Sequence, residues 1–317
     1  MYLPYLRGKQ YELIALREMC EIMAKNKDKI SPIIEPVKDS PTLKSCITCL
    51  ADNKVNFSVV INPSVGDLKG DSKHTKKIIN YLSDLLNGFD DWQIGILIDQ
   101  NLEVNTILEQ VLELGFHAKR LTLIHNSVRR DIEQLLTEAS NGNHIEFNVI
   151  NYTRVNDRRY HRNFPRNTIV SLEDFFASQD RNSDYLEVGE SDFSVEHLYF
   201  ADDGFKGFSD FLTVGEPYAD GGYLPYAVAI HLSYTDEDNR IIVKHFVSDT
   251  NEDATDVGGK FAEALDKLIK WCNQNPQLDT LGIRGFKDLH KRSHFPGLGS
   301  IKKLSIMHHI ELVLSLI

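Results

Sequence analysis

The chain has 317 residues, 42% of them apolar and 26% charged, a length that suits two domains or one α/β barrel with insertions. Its 35 basic and 46 acidic side chains leave a formal net charge of −11, which excludes coating nucleic acid by bulk charge alone. No run reaches the ~20 apolar residues of a membrane helix, residues 1–7 lack the layout of a signal peptide, and four cysteines suit a reducing cytoplasm better than a disulfide scaffold.

Short aliphatic runs then alternate with amphipathic stretches, the pattern of a parallel α/β sheet. The first strand is predicted at Tyr2–Leu6, followed by a helix in which Leu13, Leu16, Cys20 and Met23 share one face. A second strand, Ile30–Ile34, leads into a helix carrying Leu43, Cys46, Ile47 and Leu50. Strands at Phe57–Ile61, Gln93–Ile98 and Arg120–Ile124 come next, with helices over 74–87, 103–115 and 127–140 and C-caps at Gly88 and Gly115. Ile145–Ile150, Thr168–Leu172 and Asp210–Val214 complete eight strands, and 152–167 is the poorest helix candidate. Runs such as IGILI and LTLI suit strands buried on both faces. Eight β/α steps point to a (β/α)8 TIM-like barrel. A doubly wound open sheet is the alternative, because periodicity does not show closure.

The barrel domain is expected over 1–275, interrupted by an acidic loop at 173–209 and an insertion at 216–255. In that insertion Tyr226–Tyr234 and Arg240–Val247 alternate like an antiparallel hairpin. A helix is expected at 256–273, and residues 276–317 read as a helical appendage packed on the barrel. Loop and hairpin both follow strands, so both belong to the C-terminal face, where barrel active sites lie.

Charge is unevenly spread. Residues 173–220 hold thirteen Asp/Glu against Arg181 and Lys206, whereas 151–166 carry five arginines and one Asp. Arg158, Arg159 and Arg162 are interleaved with Tyr152, Tyr160, His161 and Phe164, a mixture that suits phosphates and unstacked bases of a nucleotide or nucleic acid. The plainer alternative is pairing of these arginines with the acidic run.

Each strand, read to its end, supplies a polar residue. Glu35, Asp99, His125 and Glu216 form the candidate catalytic set, as an acid/base pair or as oxygen and imidazole ligands for a divalent metal. Arg7, Lys9, Asn62 and Asn151 are candidate ligand-binding groups at the same level. Strands also end in polar residues simply because they meet solvent there, and prolines after Glu35, Asn62 and Glu216 mark such exits. A second candidate anion site is Gly297, Gly299 and Lys302, with Ser300 as the expected N-cap of the last helix. Cys46-x-x-Cys49 lacks a second pair, His290 and His294 lack a third ligand, and no GxSxG, HExxH or GxGxxG motif is present.

The N-terminal string YLPYLRGKQYELIALRE with IIEPV at 33–37, and the C-terminal GGYLPYAVAIHLSY, HFVSD and HFPGLGSIKKLSIMHHIELV, resemble the phage and bacterial "beta protein" family. That resemblance covers nearly the whole chain and brings no catalytic motif. It implies a prophage or phage-defence setting. Two functions stay open: a barrel binding or acting on a phosphate-bearing ligand, and a non-catalytic partner-binding or immunity-type subunit of a defence complex.

Overall fold

The computed structural model describes every residue except 71, 87, 116–118 and 222–223. The chain begins with β1 (Tyr5–Leu6), α1 (Gln10–Glu18), α2 (Cys20–Lys25), β2 (Ile33–Ile34), α3 (Pro41–Asp52) and β3 (Phe57–Val60). It continues through α4 (Ser72–Leu85), β4 (Trp92–Ile98), α5 (Val104–Glu113), β5 (Arg120–His125), α6 (Ile132–Ser140), β6 (His144–Asn151) and β7 (Ile169–Glu173). Then follow α7 (Tyr185–Val188), β8 (Glu190–Ser194), α8 (Glu196–Tyr199) and β9 (Gly207–Asp210). The last elements are β10 (Ala229–Thr235), β11 (Ile241–Val247), α9 (Val257–Gln274), α10 (Leu281–Lys291) and α11 (Leu298–Leu316).

Eight strands pair in parallel in the order β1-β2-β3-β4-β5-β6-β7-β9. The sheet closes on itself: Leu3 N donates to Phe208 O at 2.9 Å and Phe208 N to Met1 O at 3.0 Å. This is a (β/α)8 barrel. Its interior carries a polar layer where branched aliphatics are the norm. Ser58 Oγ meets Thr122 Oγ1 at 2.8 Å, and Gln93 Oε1 accepts from Ser58 at 3.2 Å and Ser31 at 3.4 Å. Ser58 and Thr122 stand on strands two apart, a reach available only across the concave side, so they identify the inward-facing set on each strand.

Two expectations need correction. The eighth barrel strand lies at Gly207–Asp210, ending where it was expected to start, and Leu212–Val214 is a 3₁₀ turn. The acidic segment 173–209 is not a loop, because it contains β8 as well as β9. Strand β8 pairs antiparallel with β11, so the expected hairpin β10–β11 has a third strand. The segment hid this strand because ESDFS offers one large apolar side chain in five residues.

Two compact units emerge: residues 1–174 with 198–210, and 175–197 with 211–317. The expected boundary at 275 falls inside the second unit. There Trp271 of α9 packs on Tyr234 and Phe246 at one face of the three-stranded sheet. At the opposite face, His308 and His309 of α11 bond the Ser233 carbonyl and hydroxyl. Helices α9 and α11 thus cover opposite faces of the hairpin, and α10 packs against both helices.

The seam of the barrel depends on Gly207, where an added Cβ would overlap the Met1 carbonyl and sit 3.1 Å from Leu3 Cδ1. Gly207→Ala is therefore expected to cost about 1–3 kcal/mol as overpacking, read as a lower urea midpoint for the barrel unit. An unchanged midpoint would mean that the seam is loose.

A polar cleft at the mouth of the barrel

Inward parity brings Tyr5, Arg7 and Glu35 together where β1 and β2 end. Glu35 is fully buried and collects four donors. Tyr5 Oη donates to Oε2 at 2.7 Å, the Arg7 guanidinium pairs with the same oxygen, and Ser64 donates to Oε1 from N at 2.7 Å and Oγ at 2.8 Å. Burial, and next the Glu35 charge, push the Tyr5 hydroxyl well above its ordinary value, so it remains a donor. Gly8 turns the chain between Arg7 and Lys9 at φ +63°, and a Cβ there would stand 2.9 Å from the Glu35 carbonyl. Lys9 N-caps α1, where its backbone N–H reaches the buried Glu12 carboxylate at 3.3 Å. Burial raises the Glu12 pKa.

Ser64 joins this buried group to an open cleft of about 760 Å³, lined among others by Asn62, Lys69, Asp99, Glu103, Gln110 and Arg154. That volume lies within the ~300–1,000 Å³ of small-molecule sites. Asp99 is exposed just beyond β4 and lines the wall, and its carbonyl accepts from Arg129 at 3.1 Å. Gln110 on α5 is 8% exposed, and its Oε1 is buried without a hydrogen-bond partner among the described residues. Asn62 has a structural task as well: its amide bonds Leu97 N and O at 2.9 and 3.0 Å, extending the β3–β4 ladder by one side chain. Asn151 donates to Asn126 at 3.0 Å, leaving its own Oδ1 buried and unbonded among the described residues. A smaller gap of about 20 Å³ between α3 and α4 has mostly apolar walls and room for roughly one water.

The four-member catalytic set does not assemble. His125 stands one residue out of phase with the inward set, pointing to the outer face of β5, where its ring lies 4.6 Å from Phe164 and 5.8 Å from Tyr160. Its Nε2 meets Asn148 Oδ1 at 3.2 Å, and burial lowers its pKa to about 4. Glu216 belongs to the second unit and follows a turn, so it is not a strand-end residue of the barrel. Among the described residues no group of three or more His, Cys, Asp or Glu is placed to hold a metal ion.

The arginine run divides. Arg158 forms a two-pronged pair with Glu173 at 3.1 and 3.2 Å and covers the Tyr152 ring. Arg159 and Arg162 are exposed beside a 3₁₀ turn and make no ion pair among the described residues. Arg154, two residues past Tyr152, is the arginine at the cleft. The glycine-lysine site in the second unit also needs correction. Helix α11 starts at Leu298 with Gly297 as N-cap, three residues before the expected cap at Ser300. Gly299 and Ser300 are helical, and Lys302 falls in the second turn, beyond the free N–H groups that would bind an anion.

Sequence reasoning missed Tyr5, Ser64, Lys69 and Gln110. Tyr5 was legible from its parity with Arg7. Ser64 follows Asn62-Pro63, one residue beyond the strand exit already noted.

No family model matches the chain, and no curated protein matches it. Among solved structures it is similar to an N-acetylneuraminate lyase from Mycoplasma synoviae, with 11% identity and a TM-score of 0.40, over 66% of this chain and 68% of that one. The barrel stands on its own strand order and closure. Among the described residues no helix is long and apolar enough to cross a membrane.

Proposed function

We infer that the barrel binds, or acts on, a phosphate-bearing small molecule of nucleotide size at its C-terminal mouth. The observation that carries this reading is the cleft itself, where Lys69 and Arg154 offer cationic donors and Gln110 a buried acceptor with no partner of its own among the described residues. Arginine recognises phosphate through paired N–H donors. Asp99 and Glu103 on the same cleft suit the hydroxyls of a sugar. Because Glu173 already holds Arg158, nucleic acid is the weaker form of the idea. The resemblance of both termini to the beta family adds a phage-defence or prophage setting, and the free thiols of Cys20, Cys46, Cys49 and Cys272 suit a reducing cytoplasm.

Thermal shift against inorganic phosphate and a panel of nucleoside mono-, di- and triphosphates tests it. A ligand at 100 times its Kd adds about 2.7 kcal/mol of stability, and Arg154→Ala should weaken the best ligand by about tenfold or more. A panel with no shift, or Arg154→Ala binding as tightly as wild type, would overturn the reading. A partner-binding role draws on a separate observation: Leu224 and Tyr226 in the second unit are 63% and 60% exposed. Large apolar side chains that close together on a surface suit a protein contact.

A further inference from the structure

In the second unit, Ser191, His245 and His231 come from three adjacent strands and lie on one face of the sheet. The register sets this: Ser191 pairs with Val243, two residues from His245, and His245 pairs with His231. Antiparallel partners point the same way, and so do residues two apart on a strand. Ser191 Oγ stands 3.0 Å from His245 Nε2, and His245 Nδ1 stands 2.8 Å from His231 Nδ1.

Two tautomers satisfy both contacts, and one of them primes the serine: His245 Nε2 accepts from the serine hydroxyl, while the His245 proton sits on Nδ1 and is donated to His231 Nδ1. A nucleophile, a base within hydrogen-bond reach, and a third group orienting the base make up the arrangement that activates serine. We propose that Ser191, His245 and His231 form a nucleophilic relay that transfers the acyl group of an apolar ester to Ser191 and then to water.

The surroundings suit that substrate. Phe176 and Tyr185 pack against both imidazoles, with Tyr185 4.5 Å from His245 and 4.6 Å from His231. Leu186 and Val188, on the short helix leading to β8, are 45% and 37% exposed. Burial keeps the His245 imidazole neutral at pH 7, with its pKa lowered to about 4. Ser191 itself is half-buried on a strand at the edge of its sheet.

In the first step Ser191 Oγ bonds to the ester carbonyl carbon as its proton passes to His245 Nε2. The carbon–oxygen bond to the alcohol breaks, and the departing alkoxide takes that proton. Water then gives a proton to His245 and its oxygen to the acyl carbon, and the proton returns to Ser191 as the carboxylic acid leaves. His231 is a positioning residue, holding the His245 tautomer throughout.

The test is labelling of the full chain with a fluorophosphonate probe, mapped by mass spectrometry, alongside hydrolysis of p-nitrophenyl butyrate. The expected result is one adduct at Ser191, formed by the native and not the heat-unfolded chain. His245→Gln should slow labelling by roughly 100-fold or more, the share a general base contributes. Ser191→Ala should abolish both labelling and hydrolysis while keeping the thermal transition, which keeps the test decisive if His245→Gln does not fold. His231→Ala should move the pH profile of labelling, which a packing role alone would leave in place. A native chain that takes up no probe at Ser191, or Ser191→Ala hydrolysing at the wild-type rate, would overturn the proposal.

Discussion

Glu35→Gln is expected to cost the barrel unit about 3–5 kcal/mol, the usual penalty for removing one partner of a buried ion pair. The side chains of Arg7 and Glu35 are 8% and 0% exposed, so neither charge has water to fall back on. The amide introduced by Glu35→Gln could still accept from Ser64 at one end. Its NH2 would face the Arg7 guanidinium, donor against donor, and could keep the Tyr5 hydroxyl only as an acceptor. Arg7→Met should cost less, about 1.5–3 kcal/mol, because the Tyr5 hydroxyl and both Ser64 donors still hold the carboxylate. In the double variant Arg7→Met/Glu35→Leu the stability should return most of the way, since a buried pair replaced by apolar groups of similar volume is often neutral or better. Urea unfolding of the wild type, Arg7→Met, Glu35→Leu and the double variant completes the cycle. Additive losses would mean that the two side chains do not depend on one another.

The same residues show what the sequence could convey. Strands β4 and β5 were legible because IGILI and LTLI are apolar at every position but Thr122, as strands covered on both sides are. The level at which strands end was legible too, and it located Arg7, Glu35, Asn62, Asp99 and Asn151 near the mouth. Which face each end residue takes was not. A shift of one residue along a strand exchanges its faces, and that is the whole distance between the inward Asn126 and the outward His125. Parity could be fixed only from contacts between strands two apart, Ser58 with Thr122, which no local pattern encodes. Strand β8 was hidden for a related reason: its place is set by pairing with β11, far along the chain, and its own sequence has the composition of a loop.

Acid should weaken each unit through a histidine that burial keeps neutral. His125 in the barrel and His308 on α11 both have pKa values lowered from 6.5 to about 4, with burial the largest cause in each. The folded state therefore binds fewer protons than the unfolded state between about pH 6.5 and pH 4, so stability falls as the pH falls through that window. The contribution is complete above pH 6.5, declines by about 1.4 kcal/mol per pH unit, and levels off below pH 4 after a loss of about 3 kcal/mol for each histidine. Carboxylates titrate over part of the same range, so a single acid midpoint does not isolate the effect. A comparison with His125→Gln and His308→Gln does, because each variant keeps the carboxylates and removes one imidazole. Urea unfolding at pH 7.0, 5.5 and 4.5 should show the wild type losing its advantage over each variant step by step. His308 stands to show the cleaner difference, since its Nε2 already faces the Ser233 carbonyl and a proton added at Nδ1 must turn the Thr280 hydroxyl, at 2.8 Å, from donor to acceptor. His125 has Nδ1 unbonded among the described residues, but that atom is buried and finds no acceptor for a second proton. Wild type and variants that weaken in parallel from pH 7.0 to 4.5 would show that both rings take up protons without leaving their sites.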